Sequence, residues 1–480
     1  MPVRTGKEYL EQINALKSNI WIEGKKVEGN ISEHLAFKGV MESQGKLYDM
    51  QHKAEYANQL TYRSPVTGNR VGISYLKPET KEDLELRRLQ SQIWAKSSGG
   101  MLGRSPDYMN TVITAFASAA EIFSLQDSNY TANMQNLYNE AMEKDLCFTH
   151  TFINPQVNRS SYYQENFSEV ISAQTTDIQS DGIVINGARL LATQGGITDE
   201  ILVFPASGAA KNEELAYGFS IPSNTKGLKF ISRESFRYKE NPFDHPLGSR
   251  FEELDTIVVF KDVWVPKERI LFYRNLEIAS KIYTDSCFTP LTMHQVNSRR
   301  VIKMEFVLGV AQKMIDCIQI GEYQHIHEKI SEIMVGLESL KALLLFSEMN
   351  AKMDRFGVMV PDINSLSSAA MLFTKLYPRC MDILQLIGAS GLASIPVDAD
   401  FASENKEDLD RYLQGAIVSG KEKVKIFRLA WDLSMSAFGT RQTLYERYFF
   451  GDPVRLASGH YISYAREDCL KLINQFLEEY

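Results

Sequence analysis

The chain has 480 residues, 44% of them hydrophobic and 23% charged, which excludes disordered, collagen-like and coiled-coil chains and leaves room for about three domains. Its 52 Lys and Arg stand against 60 Asp and Glu, a formal charge of -8, so no overall positive field draws it to nucleic acid. Five cysteines at 147, 287, 317, 380 and 469, with no Cys-x-x-Cys, argue against a disulfide framework or a locally spaced metal or iron–sulfur motif and suit a reducing compartment.

In chain order, the amino terminus is too polar for a secretory signal and no apolar run approaches about 20 residues, so a cytoplasmic, non-membrane protein is expected. From Gly6 to about Phe148 apolar positions recur at three and four, as in Val112, Ile113, Phe116, Ala119, Ala120 and Phe123, which predicts a helical domain over residues 1–148. The Gly-rich stretch 97–108 interrupts it. There Ser105 suits a helix cap, Pro106 the first helical position and Asp107 the positive end of the dipole, so Arg104 and Tyr108 flank a helix start. Between about Thr149 and Arg274 the period becomes two and the turn pairs Asp181-Gly182 and Asn186-Gly187 occur, predicting a β domain over 149–275. Its best strands are 183–192, 200–204, 227–231 and 256–260, with Pro266 closing the last. Residues 276–480 return to helical spacing, with long segments at 300–319, 327–346 and 421–437.

This succession predicts an α+β chain with segregated layers rather than a doubly wound sheet. No Gly-x-Gly-x-x-Gly follows a strand and no P-loop occurs, so a Rossmann or phosphate-loop site is unsupported. His325 and His327 are spaced i, i+2 and face different sides of a helix, unlike a zinc pair, and read as a solvated face. His150 is more informative because it lies where the helical block meets the β block, followed by Asn154-Pro155 and the donors Gln156, Asn158 and Arg159. On its own it reads first as a buried structural histidine bonded to backbone, and second as a site residue. Arg104, on its own, is either a surface arginine or a clamp for an anion or phenolate.

Several motifs then share one resemblance. The runs 181–193 and 260–270 resemble β-domain signatures of the acyl-CoA dehydrogenase-like flavoprotein superfamily. Gly103-Arg-Ser-Pro-Asp-Tyr108, His150 with Asn154-Pro155, Pro246-Leu-Gly-Ser-Arg-Phe251 and Phe438-Gly-Thr-Arg-Gln-Thr-Leu-Tyr-Glu446 resemble the oxygenase family of 4-hydroxyphenylacetate 3-monooxygenase. The order of these motifs extends the resemblance over nearly the whole chain. It implies an acyl-CoA dehydrogenase-like fold with an N-terminal helical domain, a middle β-barrel domain and a C-terminal helical bundle.

The resemblance implies a two-component, FADH2-dependent monooxygenase. A separate NAD(P)H:flavin reductase supplies reduced FAD, and the oxygenase uses dioxygen to convert a small phenol, such as 4-hydroxyphenylacetate, to a catechol. It places Arg104, Tyr108 and His150 around the phenol oxygen, Ala206 and Ser207 in a loop closing over substrate, and Gln156, Val157, Asn158, Arg159 and Thr193 against the isoalloxazine. Gly451, Asp452, Pro453 and Val454 match a carboxy-terminal FAD contact. A homotetramer is implied, with the 388–391 loop meeting flavin across an interface. Two alternatives share the fold: a 4-hydroxybutyryl-CoA dehydratase or vinylacetyl-CoA isomerase-like enzyme, disfavoured because no cysteine lies at 99–103, and a non-catalytic flavin-binding scaffold.

Overall fold

Strands of the middle region and helices on either side are interleaved more than the sequence pattern predicts. A computed structural model describes residues 3–156, 170–210, 212–237 and 241–479. The first helix, Gly6–Leu16, starts at a capping box in which the Thr5 hydroxyl accepts from the Glu8 amide and the Glu8 carboxylate accepts from the Thr5 amide. Two strands, β1 (Ile20–Ile22) and β2 (Lys25–Lys26), follow it, and β3 (Thr61–Arg63) and β4 (Arg70–Gly72) form a separate hairpin. The first third is therefore not purely helical. β1 is only three residues long, too short to register as a two-residue period, yet it pairs in parallel with the middle sheet, Ile20 opposite Phe230.

The middle region contains β5 (Phe148–Thr151), β6 (Gln174–Gln179), β7 (Gly182–Thr193), β8 (Glu200–Val203), β9 (Tyr217–Pro222), β10 (Leu228–Ser232), β11 (Asp255–Pro266) and β12 (Ile270–Tyr273). They make a six-stranded sheet ordered β2-β1-β10-β11-β7-β6 and a four-stranded sheet ordered β12-β9-β8-β5. Pro266 ends β11 as expected, but a further strand, β12, follows it before the helices resume. β11 also continues past Phe260 through an irregularity at Asp262, whose φ is +50°; the bulge interrupts the alternation that the sequence reading relies on.

The last third is built on Phe288–Ile318, flanked by Gln324–Met349 and Ile363–Gly388. Every residue from Leu291 to Met304 is buried, so this stretch of the helix has no solvated face and its polar side chains must find partners inside the protein. The segment 421–437, expected as one helix, is split into Gly420–Ser434 and Ala437–Tyr448 because Ser436 caps the second, accepting from the Gly439 amide at 3.0 Å.

Ala437–Tyr448 is locked to Phe288–Ile318 by a buried charge cluster. Glu446 accepts from Arg299 at 2.6 Å, Arg300 at 3.1 Å and Lys303 at 2.7 Å, and the Lys303 ammonium also reaches Gln442 at 2.8 Å. Burial opposes ionisation of Glu446, but the three cations hold its carboxyl well below the usual range. Burial brings Lys303 down to about 8 despite Glu446. Replacing Glu446 by Ala leaves three buried cations without this carboxylate, so Glu446→Ala is expected to lose about 3–5 kcal/mol, read as a lowered urea midpoint. An unchanged midpoint would show that the cluster does not anchor the helices.

Candidate active site

Alternation along β5 directs the first functional side chain. β5 pairs in parallel with β8, His150 opposite Leu202. The hydroxyls of Thr149 and Thr151 donate to the carbonyls of Thr193 at 2.7 Å and Leu190 at 2.9 Å on β7. Successive side chains of a strand leave opposite faces, so His150 points away from β7. Its ring lies 5.7 Å from that of Tyr108 and stacks on Phe152 at 4.9 Å and Phe204 at 6.0 Å.

Tyr108 belongs to the first turn of Pro106–Ser118, a helix that starts with its proline as the local chemistry predicts. Ser105 does not cap by its side chain. Its hydroxyl instead donates to Asp107 at 2.6 Å, and Asp107 also accepts from Ser91 and Gln295, both at 2.8 Å. These bonds compensate a carboxylate whose burial raises its pKa and fix the turn that carries Tyr108.

Arg104 stands just before this turn with its guanidinium carbon 4.2 Å from the ring centres of both Tyr108 and Phe449 and 5.5 Å from that of Tyr445. Its Nε and Nη1, and the Tyr445 hydroxyl, are buried without a hydrogen-bond partner among the described residues. A cation boxed by aromatic faces with free N–H groups is suited to an electron-rich or anionic oxygen.

The backbone leading to Arg104 is held by side chains. The Gly100 carbonyl accepts from Arg299 at 2.8 Å and the Met101 carbonyl from Gln442 at 3.1 Å. The amides of Gly103 and Arg104 donate to Glu253 at 2.9 and 2.7 Å, and the Arg104 carbonyl accepts from Gln194 at 3.2 Å. Gly103 is required by close approach, since a Cβ there would sit 2.3 Å from the Tyr445 ring.

The other expected residues are distributed around this centre. The Thr193 hydroxyl donates to Asp255 at 2.8 Å, and Asp255 pairs with Arg441 at 2.7 Å and Arg233 at 3.3 Å. Burial would raise the Asp255 carboxyl, but Arg441 and then Arg233 bring it down to about 2. The Ala206 amide donates to the Phe152 carbonyl at 3.2 Å, while Ser207 is exposed in a turn with Gly208 at φ +67°. Gln156 is exposed at the end of a described stretch, and Val157, Asn158 and Arg159 lie outside the described residues. Gly451–Val454 follow Phe449 closely in the chain, and Asp452 caps the helix Pro453–Ser463 by accepting from the Val454 amide at 2.9 Å. The structure thus sets Tyr108 against both Arg104 and His150 and ties Thr193 to Thr149, the neighbour of His150, while Gly451–Val454 are related to them only as chain neighbours of Phe449. No hydrogen bond links Gly451–Val454 to Thr193 among the described residues.

Sequence reasoning missed the aromatic walls Phe152, Phe204, Tyr445 and Phe449, and it missed Glu253. The acidic stretch from Glu252 to Asp255 reads as a solvated run, yet Glu252 is 3% and Glu253 1% exposed. Its position just after the Pro246–Phe251 motif was the available signal.

Comparisons with known proteins extend along the same chain. The family described as 4-hydroxyphenylacetate 3-hydroxylase matches through its N-terminal part over residues 5–272 and its C-terminal part over residues 279–478. The chain is 52% identical to a probable 4-hydroxyphenylacetate 3-monooxygenase of Bacillus subtilis, covering 99% of both chains. It is similar to the crystal structure of the oxygenase component of 4-hydroxyphenylacetate 3-monooxygenase complexed with FAD and 4-hydroxyphenylacetate, with a TM-score of 0.94, 41% identity, and 99% of this chain and 98% of that one covered. A 4-hydroxybutyryl-CoA dehydratase from N. maritimus shares the fold at a TM-score of 0.85 and 18% identity, covering 95% of this chain and 91% of that one.

Burial, reinforced by the neighbouring Arg104 cation, pushes the His150 imidazole well below its ordinary pKa. An unfolded histidine takes up a proton near pH 6.5, so below that pH the unfolded chain binds a proton that folded His150 does not. The stability carried by neutral His150 is therefore fully present above about pH 6.5 and is lost as the pH falls. Urea midpoints measured from about pH 7.5 to 5.5 are expected to fall more steeply in the native protein than in His150→Phe. Parallel curves would show that His150 is not held neutral.

Proposed function

Because the chain belongs to the 4-hydroxyphenylacetate 3-hydroxylase family, we propose that it is the oxygenase component of a two-component flavin-dependent monooxygenase. Its substrate is a small phenol such as 4-hydroxyphenylacetate, converted to the catechol with dioxygen and reduced FAD delivered by a separate NAD(P)H:flavin reductase. The observation that carries this reading is the unpaired Arg104 guanidinium facing Tyr108 and beside a neutral His150. The dehydratase gains no support from shared fold alone, and a scaffold has no need of this triad.

The chain's own groups divide the work at the phenol oxygen. Neutral His150 accepts the phenol proton. Arg104 stabilises the phenolate formed, and Tyr108, whose burial keeps it protonated, donates a hydrogen bond to it. Charge on that oxygen enriches the ortho carbon, the position to be hydroxylated. The walls of Phe152, Phe204 and Phe449 exclude water, and the turn at Ala206 and Ser207 is assigned to close over substrate.

Bound reduced FAD supplies the electrons that split dioxygen, one oxygen atom going to the ring and the other to water. Gln156, Val157, Asn158, Arg159 and Thr193 are assigned to its isoalloxazine. The Thr193 hydroxyl, oriented by its donation to Asp255, keeps lone pairs free to accept from the ring. Gly451, Asp452, Pro453 and Val454 are assigned to the same cofactor, at the start of the helix Pro453–Ser463.

The assembly is assigned as a homotetramer. Glu467–Glu478 buries none of its side chains, and its Leu470, Ile473, Phe476 and Leu477 are each more than half exposed, an apolar stripe at helical spacing. Met334 and Val335 form a second exposed patch on Gln324–Met349. No helix among the described residues is long and apolar enough to cross a membrane. Light scattering is expected to return the mass of four chains; a monomer mass rejects this assignment.

With reduced FAD, air and a phenol panel, the native protein is expected to yield catechol. His150→Ala should slow hydroxylation by about 10²- to 10⁴-fold and release hydrogen peroxide instead, and Arg104→Ala should weaken phenol binding as well. Catechol yield per flavin oxidised that stays unchanged in His150→Ala, alongside a lowered melting temperature, would return His150 to a structural role.

A further inference from the structure

Glu253 is the carboxylate that meets the backbone of Arg104, and among the described residues no hydrogen bond or ion pair joins it to the Arg104 guanidinium. It is 1% exposed. One oxygen accepts from the Arg104 amide at 2.7 Å and from Gln194 Nε2 at 2.9 Å; the other accepts from the Gly103 amide at 2.9 Å and lies 3.8 Å from Arg441. We infer that Glu253 is a positioning residue for phenol binding: it fixes the Arg104 backbone while leaving the guanidinium unpaired for the substrate oxygen. The inference rests on Arg104 being the phenol-binding cation proposed above.

The polar chain behind Glu253 explains why the residue must be an acceptor at both oxygens. The Tyr9 hydroxyl donates to Gln44 Oε1 at 2.6 Å, so Gln44 turns its amide nitrogen toward Gln194 Oε1, and Gln194 turns its own nitrogen toward Glu253 and the Arg104 carbonyl. Gln194 adopts φ +64°, a conformation uncommon for a residue with a side chain. The bonds at both ends of its amide hold it there. Every group facing Glu253 is therefore a donor. A glutamine at 253 would set its NH2 against one of them in either orientation.

Geometry and charge predict opposite outcomes here, which makes the inference testable. Removing a negative charge near Arg104 should by itself favour phenolate, whereas releasing the Arg104 backbone should disfavour it. The test uses the flavin-free full chain and 4-nitrophenol, whose phenolate absorbs visible light. The expected result for Glu253→Gln is a Kd raised by about tenfold to a hundredfold, with a smaller ionised fraction of bound probe at fixed pH. Glu253→Asp, which keeps the charge but is too short to reach both amides, should show the same loss. Affinity and ionised fraction that are unchanged or increased in Glu253→Gln, or an Asp variant equal to native, overturn the inference. If Glu253→Gln does not fold by circular dichroism, Gln194→Met removes the strut and leaves Glu253 in place, and the same two readouts decide. A native protein that fails to bind the probe at all overturns the phenol-site reading itself, a result distinct from a native protein that binds and a variant that binds equally.

Discussion

A five-residue piece of backbone, Gly100 to Arg104, is buried without belonging to any helix or sheet, and two buried carboxylates make that possible. Loop backbone removed from water needs a partner for each polar group. Glu446 holds Arg299, which donates to the Gly100 carbonyl, and Gln442 from the same helix donates to that of Met101. Glu253 takes the amides at the other end. The partners come from the last third and the middle third of the chain, so the geometry of Arg104 exists only when all three parts are assembled. That dependence also explains Gly103, where the Tyr445 ring leaves no room for a side chain.

What could be read from the sequence follows from which signals are local. The start of the helix at Pro106 depends on neighbours in the chain and was legible, as were β7, β8 and β10 to within a residue or two. The grouping of Arg104, Tyr108 and His150 came from motif resemblance, because no spacing rule connects a loop, a helix turn and a strand about 40 residues later. β5 was not legible as a strand: it is four residues long, and Thr149, His150 and Thr151 are polar yet buried, so polarity along it does not alternate with burial. Of the central helix only 300–319 was legible; its first half was not, because it carries Gln295, Asn297 and Arg299 inside the protein, where polar residues blur the apolar stripe. Glu253 escaped because charge in a sequence reads as solvent exposure, and only the donors that surround it reverse that reading.

The charge around the site is lopsided in a way that suits an anion. Arg299, Arg300 and Lys303 share the single carboxylate of Glu446, and the first two stand 5.8 Å from the Phe449 ring that Arg104 faces at 4.2 Å. Positive charge therefore lies on and behind the wall of the site, in surroundings where water screens little.

This field fixes the order in which proton and charge can move. With Arg104 unpaired, a protonated His150 would place a second cation beside it, which is why burial and Arg104 together keep the imidazole neutral. On the proposed function, once a bound phenol gives up its proton the new negative charge sits against Arg104, and the cost of a cation at His150 falls at the same moment. Neither half of the transfer is favourable alone: a protonated His150 without phenolate is repelled by Arg104, and a phenolate without an acceptor for its proton is not formed. Under that proposal an imidazole of low pKa is an effective base only when a phenol is bound, and the same electrostatics that hold His150 neutral couple its protonation to substrate ionisation.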